Sequence, residues 1–257
     1  MTPTHEFLQM SLPKPYLAAS DSLRERVILI SGASNGIGRA VAMAAAAHGA
    51  RVILHGRNVP RLEAVYDAIT AQRCPRPSIL PLDFEKAGPA EFDALAAAIE
   101  KEFGRLDGLV HNAGMLGERA PVEHYDVTKW LRTLHVNTSV PFILTQRCLP
   151  LLKRSADASI VFTSSGVVPQ PRAYWGAYLV SKWGSEGLMR MLADELENQP
   201  IRVNSLNPGK VRTEMRLQAY PAEDRSTLPQ PEAVVGPYLY LLGPDSRGVS
   251  GQTFDCQ

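Results

Sequence analysis

Tyr178 and Lys182 stand four residues apart in a stretch, residues 175–198, whose apolar spacing is helical. On a helix, residues four apart lie on one face, a turn from each other. A free tyrosine has a pKa of about 10 and is a poor base at neutral pH. A cation about 4 Å away is worth roughly 4 kcal/mol at an effective dielectric of 20, or about three pK units. The spacing therefore predicts a phenol whose pKa Lys182 and the positive ring of a bound nicotinamide can both lower, able to give a proton to a carbonyl oxygen or take one from an alcohol. Ser165, upstream at the expected end of a strand, could hold the same oxygen with its hydroxyl. Each residue also has an ordinary reading: a surface Tyr/Lys pair, a serine in a turn. Their joint occurrence behind a phosphate-type turn favours chemistry.

That turn begins at residues 27–30, Val-Ile-Leu-Ile, a short apolar run β-branched at three of four positions, as a strand covered on both faces requires. Gly32, Gly36 and Gly38 follow, in the spacing G-x-x-x-G-x-G. At the start of a helix, free backbone N–H groups and the positive end of the dipole hold a phosphate, and glycines let the main chain approach it. A dinucleotide there would bring a hydride donor or acceptor to Tyr178. An NAD enzyme commonly places an acidic residue about 20 positions past the glycines, against the ribose 2′-hydroxyl. Gly56 occupies that position and Arg57 follows it. A guanidinium there, with Ser34 and Asn58 nearby, suits a 2′-phosphate, so NADP(H) is expected and NAD less so.

The elements that must position these groups alternate along the chain. Strands are expected at residues 27–30, 51–55, 78–82, 106–111, 158–163, 201–206 and 252–255. Helices are expected at 39–48, 58–72, 89–103, 128–153 (one long helix), 175–198 and 231–242, with Gly49 closing the first. Parallel neighbours need right-handed crossover helices. The expected fold class is therefore α/β: one Rossmann-type domain, residues 23–257, with a doubly wound parallel sheet of about seven strands flanked by helices. Its ligand crevice lies at the carboxyl ends of the strands. Residues 1–22 show no period and are expected to lie outside the core as an arm or tail.

Composition narrows the class. With 257 residues, 45% of them hydrophobic, one sizeable core is affordable. A net charge of +1 without a basic run argues against nucleic acid or a polybasic membrane patch. The longest apolar run, residues 40–47, is far short of a membrane span. Cys74, Cys148 and Cys256 are odd in number and scattered, and the first 22 residues lack a secretory pattern, so unpaired thiols in a cytoplasmic protein are expected. His111, His124 and His135 do not recur at metal-ligand spacing, and no metal is expected.

Six segments, in order and at about the right spacing, resemble the short-chain dehydrogenase/reductase family: Ser31-Gly32-x-x-x-Gly36-Ile37-Gly38, His111-Asn112-Ala113-Gly114, Asn137, Ser165, Tyr178-x-x-x-Lys182 and Asn207-Pro208-Gly209. The resemblance covers residues 25–256. Through Val52-Ile-Leu-His-Gly-Arg-Asn58, Trp175-Gly-Ala-Tyr178 and Thr253-Phe-Asp255 it is greatest to the YciK subgroup of bacterial oxidoreductases. It implies a catalytic set of Asn137, Ser165, Tyr178 and Lys182, with Asn137 ordering water near Lys182 and Lys182 also bonding the nicotinamide ribose. It further implies a cofactor site built from Gly32, Ser34, Asn35, Gly36, Ile37, Gly38, Arg57, Asn58, Asp83, Asn112, Ala113, Gly114, Tyr178, Lys182, Pro208, Gly209, Val211 and Thr213. Asp83 in this set resembles the family's adenine-contacting acid, with a strand-end cap as its plain alternative.

The expected partner is a small carbonyl or alcohol. Segments 116–120, 167–175 and 212–231 are expected to line its pocket, the last as a lid. Met115, Val167, Trp175, Met215 and Leu217 would make the pocket largely apolar, and Arg172 could meet a carboxylate. Leu144, Cys148, Leu151, Trp183 and Met191 are expected to face a second copy in a homodimer or homotetramer. Other readings are a 3-oxoacyl thioester reductase, a non-catalytic NADP-binding regulator, or a scaffold subunit.

Overall fold

Among the described residues eight parallel strands make one sheet, in the order β1-β8-β7-β6-β5-β2-β3-β4. The computed structural model describes residues 9–11 and 16–257. All seven expected strands are present: β2 (Val27–Ser31), β3 (Arg51–Gly56), β4 (Ser78–Pro81), β5 (Gly108–His111), β6 (Ala158–Thr163), β7 (Ile201–Asn207) and β8 (Thr253–Asp255). The eighth, β1 (Gln9–Ser11), comes from the segment expected to be an arm, and pairs in register with Thr253 to Asp255. From the same segment the Tyr16 ring packs on Tyr240 and its hydroxyl donates to Asp245. Residues 1–8 and 12–15 lie outside the described residues.

Every residue of β2 is buried, because helices cover both faces of the sheet. Val27 and Leu29 join the core under α3 (Pro89–Phe103), α5 (Val140–Leu152) and α6 (Gly176–Glu195). Ile28 and Ile30 point the other way, among side chains of α1 (Gly36–Ala47), α2 (Val59–Ala71) and α8 (Val235–Leu242). Successive residues of a strand alternate in direction, so a continuous apolar run can fill two cores at once. Strand order reverses at β2, whose neighbours are β3 and β5. The crevice therefore opens above the carboxyl ends of β2 and β5.

The single long helix expected over residues 128–153 is three pieces: α4 (Val127–Leu134), a π-helical turn (His135–Ser139) and α5. Pro141 explains the break. It has no N–H to donate to Asn137, four residues back. The Val140 amide instead reaches His135, widening the turn, and the freed Asn137 carbonyl accepts from the Ser185 hydroxyl at 2.8 Å. The lid segment also differs from expectation, since it contains α7 (Glu214–Ala219), capped by Thr213. Six residues are too few for a helical period to show in sequence. Leu144, Cys148 and Leu151, expected at an interface, are buried in the subunit's own core. Val127, Leu131, Phe142, Val180, Trp183 and Met191 are the large apolar side chains exposed on α4, α5 and α6.

Two histidines are sealed inside the sheet. His55 stacks on Phe84 at 4.1 Å, and His111 bonds the Thr145 hydroxyl at 2.8 Å. Burial pushes both down to about 3, with the Lys182 charge adding to the effect at His111. Their folded pKa values lie below the unfolded value of about 6.5, so the unfolded chain takes up the protons as pH falls. Stability is thus complete above about 6.5 and is lost below it, by about 1.4 kcal/mol per pH unit for each ring. Urea unfolding midpoints should fall steadily from pH 7 to pH 5. A flat profile across that range would mean that the rings are protonated in the fold.

Candidate active site

α6 brings Tyr178 and Lys182 to the crevice as its spacing requires, and both are buried. The Lys182 ammonium donates to the Thr163 carbonyl at 2.7 Å, at the end of β6, and lies 5.8 Å from the Tyr178 ring centre. Burial brings Lys182 down to about 8, with Glu186 one turn further along opposing the shift. The expectation that Lys182 lowers the tyrosine is corrected for the chain by itself. Burial is the larger influence on Tyr178 and raises its pKa, while its hydrogen bond with Ser165 acts in the opposite sense. At nearly 6 Å from the ring, and fixed on a carbonyl, the ammonium does not outweigh the removal of the phenol from water. A raised pKa keeps the proton on the phenol, as an acid toward a carbonyl oxygen needs.

Asn137 sits on the π-helical turn, where its side chain cross-links three elements. Its amide nitrogen donates to the Met115 carbonyl and to the Ser181 hydroxyl, both at 2.9 Å, and its oxygen accepts from the Met115 amide at 2.9 Å. Ser181 passes the link on to the Tyr178 carbonyl at 2.7 Å. π-Turns inside α-helices frequently mark functional sites. Thr163 and Ser181 were not among the residues singled out from sequence. Ser181, three residues past Tyr178 on the same helical face, carried a usable signal; Thr163 acts only through its backbone and carried none.

The phosphate-type turn is locked from below. Ser31 donates to the Val110 carbonyl and accepts from the Asn112 and Ala113 amides, each at 3.0 Å, which ties the turn to the end of β5. Gly32 has φ +71°, and a Cβ there would stand 2.9 Å from the Asn112 side chain. A Cβ on Gly38 would stand 2.3 Å from the Gly32 carbonyl oxygen. The helix start therefore presses directly on the turn, and only glycine fits either place. Asn35 caps α1 by accepting from the Gly36 amide, and Ile37 follows in the first turn, whose other N–H groups have no partner within the helix. A Cβ on Gly114 would meet the Asn137 side chain at 3.3 Å, so backbone lines the crevice there too. This cradle of glycines, amides and a helix start has the donors that a pyrophosphate needs.

Other expected residues gather around it. Space beside Gly36 is closed at 3.4 Å by the Thr213 methyl, and Thr213 follows the Pro208 to Val211 segment, of which Val211 is buried. The Gly209 amide donates to Asn207 at 3.2 Å. The Ser34 hydroxyl stands where a Cβ on Gly56 would be 3.6 Å away, next to Arg57. Asn58 caps α2 by accepting from the Arg61 amide. Asp83, two residues past the end of β4, accepts from the Glu85 amide at 3.2 Å. Arg57 has a partner that sequence did not suggest. Its guanidinium pairs with Glu85 at 2.5 Å, and Glu85 also pairs with Arg132.

Leu116, Val167, Trp175, Tyr178 and Ala219 pack together over the crevice, with Met215 and Tyr220 against them. Leu217, expected in this wall, is exposed instead. A cavity of about 270 Å³ opens beside Ser165 between α6 and the loop after β6, but Tyr178 is not in its wall. Ser165 is thus shared between that cavity and the side facing Tyr178. Among the described residues no group of three or more His, Cys, Asp or Glu is placed to hold a metal. Among them, too, no helix is long and apolar enough to cross a membrane.

The fold recurs in known proteins. The oxidoreductase YciK of Escherichia coli is 45% identical over 242 residues, 94% of this chain and 96% of that protein. A short chain dehydrogenase structure from Pseudomonas syringae superposes with a TM-score of 0.93 at 51% identity, covering 94% of this chain and 98% of that one. Another, from Escherichia coli and solved with NADPH, gives 0.91 at 44% identity, covering 93% and 100%. Residues 26–224 match the short chain dehydrogenase family itself, so the chain belongs to that family and is an oxidoreductase.

Proposed function

We propose that the protein is an NADP(H)-dependent reductase or dehydrogenase that interconverts a small carbonyl compound and its alcohol, with Tyr178 as general acid or base. The observation that carries this is the convergence of Tyr178, Ser165 and Lys182 on one side of a crevice whose other side is the glycine cradle at the end of β2. The nicotinamide, when bound, supplies or accepts the hydride. Ser165 holds the substrate oxygen, and the Tyr178 hydroxyl delivers its proton there. Lys182 keeps a positive charge beside the phenol as that proton leaves, and Asn137 fixes the helix turn behind it. Arg57, Ser34 and Asn58 surround the place of the 2′-phosphate, and the likeness to a relative solved with NADPH supports the same choice. Loss of NADPH absorbance over a panel of ketones and aldehydes tests turnover. Tighter binding of NADH than of NADPH would overturn the cofactor assignment.

A homo-oligomer is part of the proposal. The apolar side chains exposed on α4, α5 and α6, with Leu131, Phe142, Val180 and Met191 among them, make a face that a second copy would cover. Light scattering at micromolar concentration should give at least twice the 28.1 kDa chain mass. A monomeric mass would rule the assembly out. A reducing cytoplasm suits three cysteines scattered through the sequence.

A further inference from the structure

An aromatic row leads away from the catalytic phenol. The Trp175 ring is 5.6 Å from Tyr178, and the Tyr220 ring, at the end of α7, is 5.9 Å from Trp175. Three arginines close on its outer end. Arg216 covers the Tyr220 ring at 3.8 Å and is neutralised by Glu223, two nitrogens to two oxygens at 2.6 Å each. Arg119 stands 5.0 Å from the Trp175 ring centre and 5.4 Å from that of Tyr220, and donates to the Ala219 carbonyl. Arg172 donates to the Tyr220 hydroxyl at 3.2 Å.

The last two differ from the first in charge balance. Among the described residues neither Arg119 nor Arg172 is paired with a carboxylate, and the acids closest in sequence to Arg119 and Arg216 are engaged elsewhere: Glu118 with Lys129, Glu214 with Arg61. A guanidinium has five N–H donors in a planar fork, and stacking on a ring leaves its edge available. Each of the two uses one donor on a neutral oxygen. Between them and Tyr178 the wall is apolar, built from Leu116, Val167, Trp175 and Met215.

We infer that Arg119 and Arg172 form an anion subsite, and that the substrate is an oxo acid, or the matching hydroxy acid, whose carboxylate is separated from the reacting carbon by an apolar body. This rests on the assignment of Tyr178 to the carbonyl end. The carboxylate takes charge-assisted bonds from both guanidinium groups, and the intervening methylenes lie along Trp175. Because a whole ring stands between the phenol and the arginines, oxo acids with the two groups on adjacent carbons are too short.

Straight-chain oxo acids with two to five methylenes between ketone and carboxylate, each beside its methyl ester, test the subsite on the full chain with NADPH present. Tryptophan quenching reads binding, since Trp175 is in the wall, and NADPH absorbance reads turnover. At one chain length the acid should bind roughly ten- to a hundredfold more tightly than its ester. Arg119→Gln and Arg172→Gln should each reduce that margin, whereas Lys129→Gln, a nearby cation outside the subsite, should keep it. Melting temperatures confirm that the variants fold. Equal binding of acid and ester at every length, or a margin that survives both arginine substitutions, overturns the inference. Reduction of neutral ketones without any acid preference would do the same while leaving the role of Tyr178 standing. Acid-selective binding with no turnover of any probe would support the subsite and defeat the hydride-transfer reading.

Discussion

Tyr178→Phe is expected to lower turnover of any carbonyl that the wild type reduces by about 10²- to 10⁴-fold, the usual share of general acid catalysis, while NADPH affinity stays close to wild type. The substitution removes one oxygen and keeps the ring, so packing against Trp175 is preserved. The glycine turn is held by Ser31 and Arg57 by Glu85, none of which bonds the phenol, so both should hold the cofactor as before. What is lost is the proton for the developing alkoxide. Burial raises the tyrosine pKa and so keeps that proton in place in the resting protein, and Ser165 is the group that eases its departure. Lys182→Ala should be as harsh on turnover and should weaken NADPH as well, because the family resemblance implies that Lys182 also bonds the nicotinamide ribose; it further leaves the Thr163 carbonyl without its ammonium partner. Stopped-flow reduction and a separate fluorescence titration distinguish the two effects. Wild-type turnover in Tyr178→Phe would remove the phenol from the mechanism and favour a non-catalytic binding protein.

The tyrosine and lysine were legible because helical spacing alone puts residues four apart on one face. The glycine turn was legible because it follows a buried apolar run and occurs together with the tyrosine–lysine pair; three glycines alone would have been weak evidence. Other features depend on distance in three dimensions. The π-helical turn under Asn137 follows from Pro141, but a proline in sequence says only that a helix is disturbed, not that the freed carbonyl will find Ser185 on another helix. Leu144, Cys148 and Leu151 were misplaced because α5 is apolar on more than one side, and periodicity cannot say which side meets the sheet. β1 escaped notice because three residues at a sheet edge carry no period. The direction of the Tyr178 shift could not be read either, since a charge four residues away is visible in sequence and loss of water is not.

Arg57→Gln is expected to weaken NADPH by at least about tenfold and to leave NADH nearly unchanged, because only the first has a phosphate on the ribose 2′ oxygen. A hydrogen bond to a charged group contributes roughly 1.5 to 3 kcal/mol, and the exposed position of Arg57 argues for the lower end of that range. Its resting partner complicates the exchange. Glu85 is largely buried and holds Arg57 and Arg132 together, so a phosphate arriving at Arg57 meets a carboxylate already in contact with it. Arg132 can keep Glu85 neutralised while Arg57 turns to the phosphate. Removing that competition in Glu85→Gln should therefore tighten NADPH several-fold and leave NADH alone, opposite in sign to Arg57→Gln. Parallel titrations of the three proteins with both cofactors give the answer. Equal losses for NADPH and NADH in Arg57→Gln would mean that the arginine serves the fold and does not read the phosphate; a weaker NADPH complex in Glu85→Gln would make Glu85 the group that aims Arg57.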